Sequence, residues 1–369
     1  MEHNNTHEVF LEILRGGIWE KEVRLKSYES IEYNAIYSIA EEQSIIGLIT
    51  AGLEQVKDVK IPQEWSLQFV GSTLQLEQRN KDMNRFVEDL ILRMRKADIY
   101  TLLVKGQSVA QCYERPLWRA CGDVDLFLND DNYERAKSFL TQFASKIEPE
   151  ANFKKHLGLY IIGWLVELHG SLRNGLSAKI DKALDNIQKN TFYGGIVRSC
   201  VIGNTQVFLL GIENDIIYVF SHILDHFYKG GIGLRQICDW MRLIWKNKEK
   251  LNSKELEKMI RQMGLMSEWK AFGAFAVDYL GMPEDAMPFY SPDRKWKLKA
   301  ERICTFILEV GNFGHNRDNS YYNKPFVVRK AISFGRRCGD LMRHARIFPM
   351  DSLRFLPGIV FNGMKAALK

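Results

Sequence analysis

Residues 118–127, WRACGDVDLF, place two aspartates two positions apart at the start of an apolar run, directly after a glycine. A short apolar run bounded by turn residues predicts a buried strand. Alternate side chains of a strand share one face, so Asp123 and Asp125 would point the same way. Two neighbouring carboxylates repel each other in a partly buried site, and a divalent cation with oxygen ligands removes that repulsion. The alternative is a solvated strand end that leads into a helix after Asn129.

A further acidic residue interrupts an apolar run later in the chain. Glu167 is the only acid between Leu157 and Leu168, and His169 follows it by two positions. On a strand, Glu167 and His169 would therefore lie on the same face. If this strand lies beside the strand of Asp123, the three carboxylates form a cluster suited to holding two magnesium ions.

The segment KGQS, residues 105–108, predicts a strand that ends at a glycine turn and a helix that begins near Ser108. Gly106 lets the backbone approach a ligand closely, and the free amides of a helix N-terminus bind phosphate. Lys105 would add a positive charge beside that ligand. A plain turn with a helix cap is the alternative for this segment taken alone.

The spacing of apolar residues divides the chain into three regions, 1–96, 97–210 and 211–369. Apolar residues at three- and four-residue spacing predict about four helices in the first region, with Pro62 before the last of them. The middle region alternates short strands and helices, with one long strand over residues 158–170 and a hairpin that turns at Gly203 and Asn204. Helical patterns return after Gly211. The expected fold is an α/β or α+β core, a small mixed sheet with helices, flanked by two helical domains.

Composition narrows the class of protein. The chain has 369 residues, of which 46% are hydrophobic and 26% charged, as is typical of a globular protein. The N-terminus does not have the pattern of a secretory signal, and the apolar runs are too short to span a bilayer, so we expect a cytoplasmic protein. The six cysteines show no CxxC spacing and therefore indicate neither a disulfide framework nor a cysteine zinc site.

His222 and His226 form a separate candidate metal site, because the two imidazoles lie one helical turn apart. The segment lacks the glutamate of an HExxH motif, and neither Asp225 nor Asp239 has a diagnostic spacing. A packed or hydrogen-bonded role within a helix is therefore favoured, and a metal-dependent hydrolase is the weaker alternative. Arg235 and Asp239 stand at i,i+4 on the next predicted helix, where they could form a pair.

The C-terminal segment carries the positive charge of the chain. Residues 326–369 contain nine Lys and Arg against two Asp, a net of +7, so that the remainder is near −1 when the total is +6. Arginines interleaved with apolar and aromatic residues favour a helix docked by its apolar face. Contact with an anionic membrane surface or an acidic partner is a second interpretation, and nucleic-acid binding is a third, less favoured one.

The order of these motifs resembles the uncharacterised bacterial nucleotidyltransferase family of the polymerase-beta-like superfamily. Its pattern reads KG, then a tyrosine, then R-x-x-G-D-[IV]-D-L, and later a strand with an acid-x-His sequence. The matching residues here are Lys105, Gly106, Tyr113, Arg119, Gly122, Asp123, Asp125, Leu126, Glu167 and His169. The resemblance covers roughly residues 97–240, with helical flanks on either side as in the family.

The resemblance implies transfer of a nucleoside monophosphate from a nucleoside triphosphate (NTP) to an acceptor hydroxyl, with pyrophosphate leaving. Asp123 and Asp125 would bind two Mg²⁺ ions, for which Mn²⁺ could substitute, and Glu167 would bind the ion that activates the acceptor. The triphosphate would be held by Lys105, Gly106, Gln107 and Ser108. This sequence departs from the superfamily at Gln107, where glycine or serine is usual.

Several roles stay open at this level. Arg119 could bind a phosphate with its guanidinium or form a salt bridge that fixes its loop. His169 could contact the acceptor, although a hydrogen bond to the metal-site carboxylates is favoured, and His222 and His226 could line the acceptor side. The acceptor itself could be a small molecule, a sugar, a protein or RNA. The main alternative is a catalytically inactive nucleotide-binding or scaffold protein with the same fold.

Overall fold

The computed structural model describes residues 2–151, 155–312 and 325–357. The N-terminal helices are α1 (Glu2–Trp19), α2 (Tyr33–Glu42), α3 (Ile46–Glu54) and α4 (Gln63–Lys96). The sheet region contains β1 (Leu102–Val104), α5 (Gly106–Ala110), β2 (Asp123–Phe127), α6 (Asp130–Leu140), β3 (Lys146–Ile147), β4 (His156–Ile161), β5 (Trp164–His169), α7 (Ala178–Gly194), β6 (Val197–Ile202) and β7 (Thr205–Leu210). The C-terminal helices are α8 (Ile212–Lys229), α9 (Leu234–Asn247), α10 (Ser253–Met263), α11 (Met266–Asp278), α12 (Arg294–Val310) and α13 (Phe326–Ile347), and residues 349–357 are helical as well.

Within the described ranges, seven strands form one mixed sheet in the order β3-β4-β5-β2-β1-β7-β6. Strand β2 lies parallel to β5 and antiparallel to β1, and β1 pairs in parallel with β7. One face of the central strands, which includes Val124, Leu126, Val166 and Leu168, packs in a core with the second half of α4 and with α6. Because side chains alternate along a strand, the acidic residues lie on the opposite face, toward the C-terminal helices.

The N-terminal and C-terminal helices share a second hydrophobic core, although the sequence separates them by the whole sheet region. Its centre contains an aromatic cluster in which Phe220 stacks on Trp240 at a centroid distance of 5.0 Å, and Trp240 meets Trp269 edge-on at 4.8 Å. Burial of each large apolar side chain contributes about 1.5–3 kcal/mol. The four predicted N-terminal helices are present, and Pro62 is the N-cap of α4. The domain boundaries at 96/97 and 210/211 stay a prediction.

The single long strand predicted over residues 158–170 is wrong, because this run folds into the hairpin of β4 and β5. Ile162 and Gly163 have φ values of 51° and 80°, and two consecutive positive φ values are characteristic of a two-residue turn that matches the twist of a hairpin. The hairpin predicted at Gly203 and Asn204 is confirmed, since β6 and β7 pair across that turn.

The basic C-terminal segment is described up to residue 357, and residues 358–369 lie outside the described range. Its described part is helical, and Ile347, Phe348 and Phe355 are buried against the C-terminal helices, which agrees with the expectation of a docked helix. In the parts of the chain that the structure describes, every helix falls short of the length and apolar character that a membrane span requires.

Candidate active site

The parallel register of β2 and β5 determines the centre of the site. It aligns Asp125 with Glu167, and Asp123 lies two positions before Asp125 on the same face. One carboxylate oxygen from each of the three residues lies within 4.8 Å of the others. The three acids predicted to lie close together therefore do so, and the hairpin supplies the third one from its second strand. Their role as metal ligands stays a prediction.

Asp125 is the most deeply buried of the three acids, with 2% of its side chain exposed, and a lysine and a histidine contact it. Lys105 Nζ lies 2.7 Å and His169 Nε2 lies 2.8 Å from Asp125 Oδ1. Burial disfavours the charged form of Lys105, but the charge of Asp125 outweighs this and raises the pKa of the lysine above its ordinary value. Lys105 therefore remains protonated and compensates one of the three carboxylates.

The pKa shifts of the remaining groups show how closely the charges are packed. Repulsion by Asp125, together with burial, raises the pKa of Asp123. Burial would also raise the pKa of Glu167, but hydrogen bonds with His156 and His169 outweigh it and lower this pKa. Burial would lower the pKa of His169, and its hydrogen bonds to Asp125 and Glu167 raise it instead. The charged form of Asp123 is thus disfavoured, and a bound cation would stabilise it.

The predicted phosphate site lies at the turn between β1 and α5, and only part of it lines the cleft. Lys105 and Gly106 have φ values of 54° and 38°, and Gly106 lines the cleft. The side chain of Gln107 donates to the Met83 sulfur of α4, and the Ser108 hydroxyl donates to the Lys105 carbonyl over 2.7 Å. The structure therefore does not bring the Gln107 and Ser108 side chains toward a ligand, which leaves Lys105 and the backbone of Gly106.

Arg119 is buried, and its guanidinium forms a two-point salt bridge with Asp239 of α9. Its Nε lies 3.0 Å from Asp239 Oδ1, its Nη2 contacts Oδ2, and Tyr113 donates its hydroxyl to Oδ1 over 2.9 Å. Burial opposes the charge on Arg119, but Asp239 outweighs it and raises the guanidinium pKa. In this structure Arg119 therefore fixes the loop before β2. Asp239 pairs with Arg119 instead of with Arg235, the partner that the i,i+4 spacing suggested.

Arg235 lies at the other side of the same loop and lines the cleft. Its Nη1 donates to the Ala120 carbonyl over 2.7 Å, whereas its Nε is buried and has no hydrogen-bond partner among the described residues. Burial and the nearby charge of Arg119 lower its pKa. Asn80 of α4 also donates to this loop, at the carbonyls of Leu117 and Arg119, with both distances 2.8 Å. The loop is therefore held from both helical regions.

The cleft has a volume of about 420 Å³ and lies between two walls. We call the residues on β2, β4 and β5 the strand wall: Asp123, Asp125, His156, Glu167 and His169. We call the residues on α8 and α9 the helix wall: Tyr218, His222, His226, Arg235 and Asp239. Lys105 and Gly106 lie at the junction of the two walls, because Lys105 contacts Asp125 and its Nζ stands 6.0 Å from the ring centre of Tyr218.

His222 and His226 hydrogen-bond to each other, with 3.0 Å between their Nε2 atoms. Burial, followed by the charge of Lys105, lowers the pKa of His222, and burial lowers the pKa of His226 to about 4. Both imidazoles are therefore neutral near pH 7. Asp225 pairs with Lys229. Among the described residues, no carboxylate, thiol or further imidazole lies close enough to form a group of three metal ligands with this pair.

Sequence reasoning did not assign His156 or Arg235 to the cleft. His156 lies directly opposite His169 in the hairpin register, a position that only the turn at Ile162 and Gly163 reveals. That turn was the available signal, because a glycine after an isoleucine in the middle of a long apolar run is compatible with a hairpin. Arg235 was assigned to a pair with Asp239, and no local pattern shows that Arg119 takes that carboxylate.

No curated protein and no solved structure matches the chain. A family model described as an uncharacterised nucleotidyltransferase matches residues 29–281, which is more than half of the chain and includes both walls of the cleft. The chain therefore belongs to this uncharacterised nucleotidyltransferase family.

Proposed function

We propose that the protein is a Mg²⁺-dependent enzyme that transfers a nucleoside monophosphate from an NTP to an acceptor hydroxyl. The proposal depends on one observation: Asp123, Asp125 and Glu167 all line the cleft, and one carboxylate oxygen of each lies within 4.8 Å of the others. The family match supports nucleotidyl transfer in general. The polymerase-beta-like form of the core and a cytoplasmic location belong to the same proposal.

The donor set of the strand wall fits the proposed cation. All three acids offer carboxylate oxygens, which Mg²⁺ and Mn²⁺ prefer, and Lys105 compensates only part of their charge. The raised pKa of Asp123 is the mark of a carboxylate pair that lacks positive charge. When bound, two such ions would activate the acceptor oxygen and neutralise charge on the triphosphate.

The remaining residues would orient the two substrates. Lys105 and Arg235 both line the cleft, and their positive charges act on Asp123. They would bind phosphate oxygens, as would the Gly106 amide. In the reaction, the acceptor oxygen forms a bond to the α-phosphorus while the bond to the β-phosphate oxygen breaks and pyrophosphate leaves. The hydrogen-bonded, neutral pair of His222 and His226 lies on the opposite wall, where it would contact the acceptor hydroxyl.

Calorimetric titration with Mg²⁺ and NTP tests the carboxylate cluster. We expect the wild-type protein to bind the NTP only when Mg²⁺ is present, and Asp123→Asn and Asp125→Asn each to lose this binding by at least a hundredfold. The reason is that an amide offers one neutral oxygen in place of a carboxylate. Glu213→Gln, on the outer part of α8 where Glu213 accepts from the Asn252 amide, is the matched control. Unchanged Mg²⁺-dependent binding in both aspartate variants would refute the proposal.

Turnover separates the enzyme from an inactive nucleotide-binding protein of the same fold. Radiolabelled NTPs incubated with the wild-type protein and a cell extract should label one class of molecule, whereas Asp125→Asn should label none. The chemical class of the labelled species identifies the acceptor among small molecules, sugars, proteins and RNA. Mg²⁺-dependent NTP binding without any labelled product would favour the binding protein.

The contribution of Arg235 is tested by Arg235→Gln. We expect Mg²⁺-dependent NTP affinity to fall about tenfold or more, because the variant removes a buried cation that lines the cleft. Arg173→Gln is the matched control, since Arg173 also borders the cleft but pairs with Asp185 near the surface. Equal losses in the two variants would show that Arg235 has no specific role in phosphate binding.

A further inference from the structure

We propose that His156, Glu167 and His169 form a binding site for a transition-metal ion, with Zn²⁺ as the best-fitting ion. This site shares Glu167 with the carboxylate cluster that we propose for Mg²⁺, but it differs in chemistry because two of its three ligand atoms are imidazole nitrogens. It does not depend on the proposed nucleotidyl transfer, and its test requires no nucleotide.

The hairpin of β4 and β5 brings the three side chains together. His156 and His169 are directly opposite each other in the antiparallel register, and Glu167 lies two positions before His169 on the same face. The two imidazole rings have a centroid separation of 4.8 Å. Local β-hairpin geometry therefore fixes all three ligands, and no loop has to move to bring them into range.

The distances among the ligand atoms fit a small divalent ion. Glu167 Oε2 lies 3.2 Å from His156 Nε2 and 3.4 Å from His169 Nε2, and one ligand atom of each residue lies within 4.8 Å of the others. Ligand atoms about 2.0–2.1 Å from a tetrahedral Zn²⁺ are about 3.3 Å apart. The two pairs that involve Glu167 already have about this separation.

The chemistry of the ligand set selects the class of ion. Two imidazole nitrogens and one carboxylate oxygen bind Zn²⁺ and related transition metals, whereas Mg²⁺ prefers oxygen ligands alone. The side chains of His156, Glu167 and His169 are 31%, 19% and 12% exposed, so an ion can enter from the cleft. Asp125 lies 2.8 Å from His169 Nε2 and could complete the ligand set.

The other pair of histidines provides an internal comparison. His222 and His226 have their Nε2 atoms 3.0 Å apart, but the described residues supply no carboxylate or thiol that completes a group of three with them. A site with only two protein ligands binds zinc more weakly than one with three. We therefore expect the first equivalent of zinc to bind the strand wall.

Zinc binding to the chelator-treated full-length protein tests the site, with a chromophoric zinc indicator as the competitor and no nucleotide present. We expect one equivalent of Zn²⁺ to bind the wild-type protein and His156→Ala to weaken this binding at least tenfold. Co²⁺ in place of Zn²⁺ should give visible absorption bands in the wild-type protein that His156→Ala changes. Circular dichroism confirms that the variant is folded, and His156→Gln serves as a second, larger side chain at the same position.

Two control variants locate the ion. His222→Ala should retain the zinc, since it removes only the helix-wall pair, and Asp123→Asn should retain it while it loses Mg²⁺-dependent NTP binding. The inference is overturned if the wild-type protein takes up no zinc, if folded His156→Ala and His156→Gln bind it as the wild type does, or if His222→Ala removes it. Because NTP binding is measured separately, failure of this site and failure of the proposed function are distinguishable.

Discussion

The two walls of the cleft contain histidines whose pKa values shift in opposite directions. On the strand wall, hydrogen bonds to Asp125 and Glu167 outweigh burial and raise the pKa of His169. On the helix wall, burial dominates and lowers the pKa of His222 and His226, the latter to about 4. Burial alone favours the neutral ring and lowers the pKa of a histidine. Carboxylate partners therefore determine whether that pKa is raised instead.

Under the proposed function, this difference gives each wall a distinct chemical task. The strand wall concentrates negative charge that Lys105 balances only in part, which suits it to cations. The helix wall presents neutral imidazoles, which suit an uncharged hydroxyl as a hydrogen-bond partner. The buried ion pair of Arg119 and Asp239 connects the two walls, because Arg119 precedes β2 and Asp239 belongs to α9.

The strongest test of the comparison removes this connection. Asp239→Ala leaves the Arg119 guanidinium buried without its carboxylate, which we expect to reduce the free energy of unfolding by about 3–5 kcal/mol. Urea denaturation followed by circular dichroism gives the shift in midpoint. Asp185→Ala is the matched control, because Arg173 and Asp185 form a more exposed pair, with side chains 52% and 38% exposed, and its loss should cost less than about 1 kcal/mol. Similar losses for the two pairs would contradict a buried anchor between the walls.

The neutral state of the helix wall predicts a pH dependence of stability. The pKa of His226 is about 4 in the folded protein and about 6.5 in the unfolded chain, so its contribution is complete above pH 6.5 and is lost as the pH falls to about 4. The loss is about 3 kcal/mol at most. His226→Asn should therefore show a flatter decline in unfolding free energy over this range than the wild type. Parallel curves for the two proteins, measured by urea denaturation in chelator, would show that His226 has no depressed pKa.

The smallest expected effect concerns the strand wall without metal. Asp123→Asn removes the repulsion with Asp125 that raises the pKa of Asp123, so it should stabilise the chelator-treated protein by about 1 kcal/mol at pH 7. Thermal unfolding of both proteins measures this difference. With Mg²⁺ and NTP added, the order should reverse, since only the wild type gains from ligand binding. A less stable Asp123→Asn protein in chelator would mean that repulsion at this site is not significant.

The sequence predicted the shared faces of the acidic residues because that information is local. Strand periodicity places Asp123 and Asp125 on one face, and the same rule places Glu167 beside His169. The pairing of β2 with β5 was a conditional prediction, and the structure supplies it. His156 could not be found in the same way, because its position opposite His169 depends on the register of the hairpin.

For the KGQS segment, the sequence predicted the glycine turn but not the directions of the side chains that follow it. A glycine turn before a short helix follows from KGQS, but whether Gln107 points to a ligand or to Met83 depends on the packing of α4 against that helix. In the same way, the choice of Arg119 over Arg235 as the partner of Asp239 depends on how α9 docks on the loop before β2. The local spacing of residues does not show which of two arginines pairs with a given carboxylate.

By itself, the amino-acid sequence determined the alternation of helices and strands, the shared face of the two aspartates and the positive charge of the C-terminal segment. The tertiary structure alone decided which carboxylates meet, in which direction the histidine pKa values shift and which arginine pairs with Asp239. The physical reason is range: backbone periodicity and turn chemistry act over a few residues, whereas pKa shifts and ion pairing depend on burial and on partners that the fold brings together.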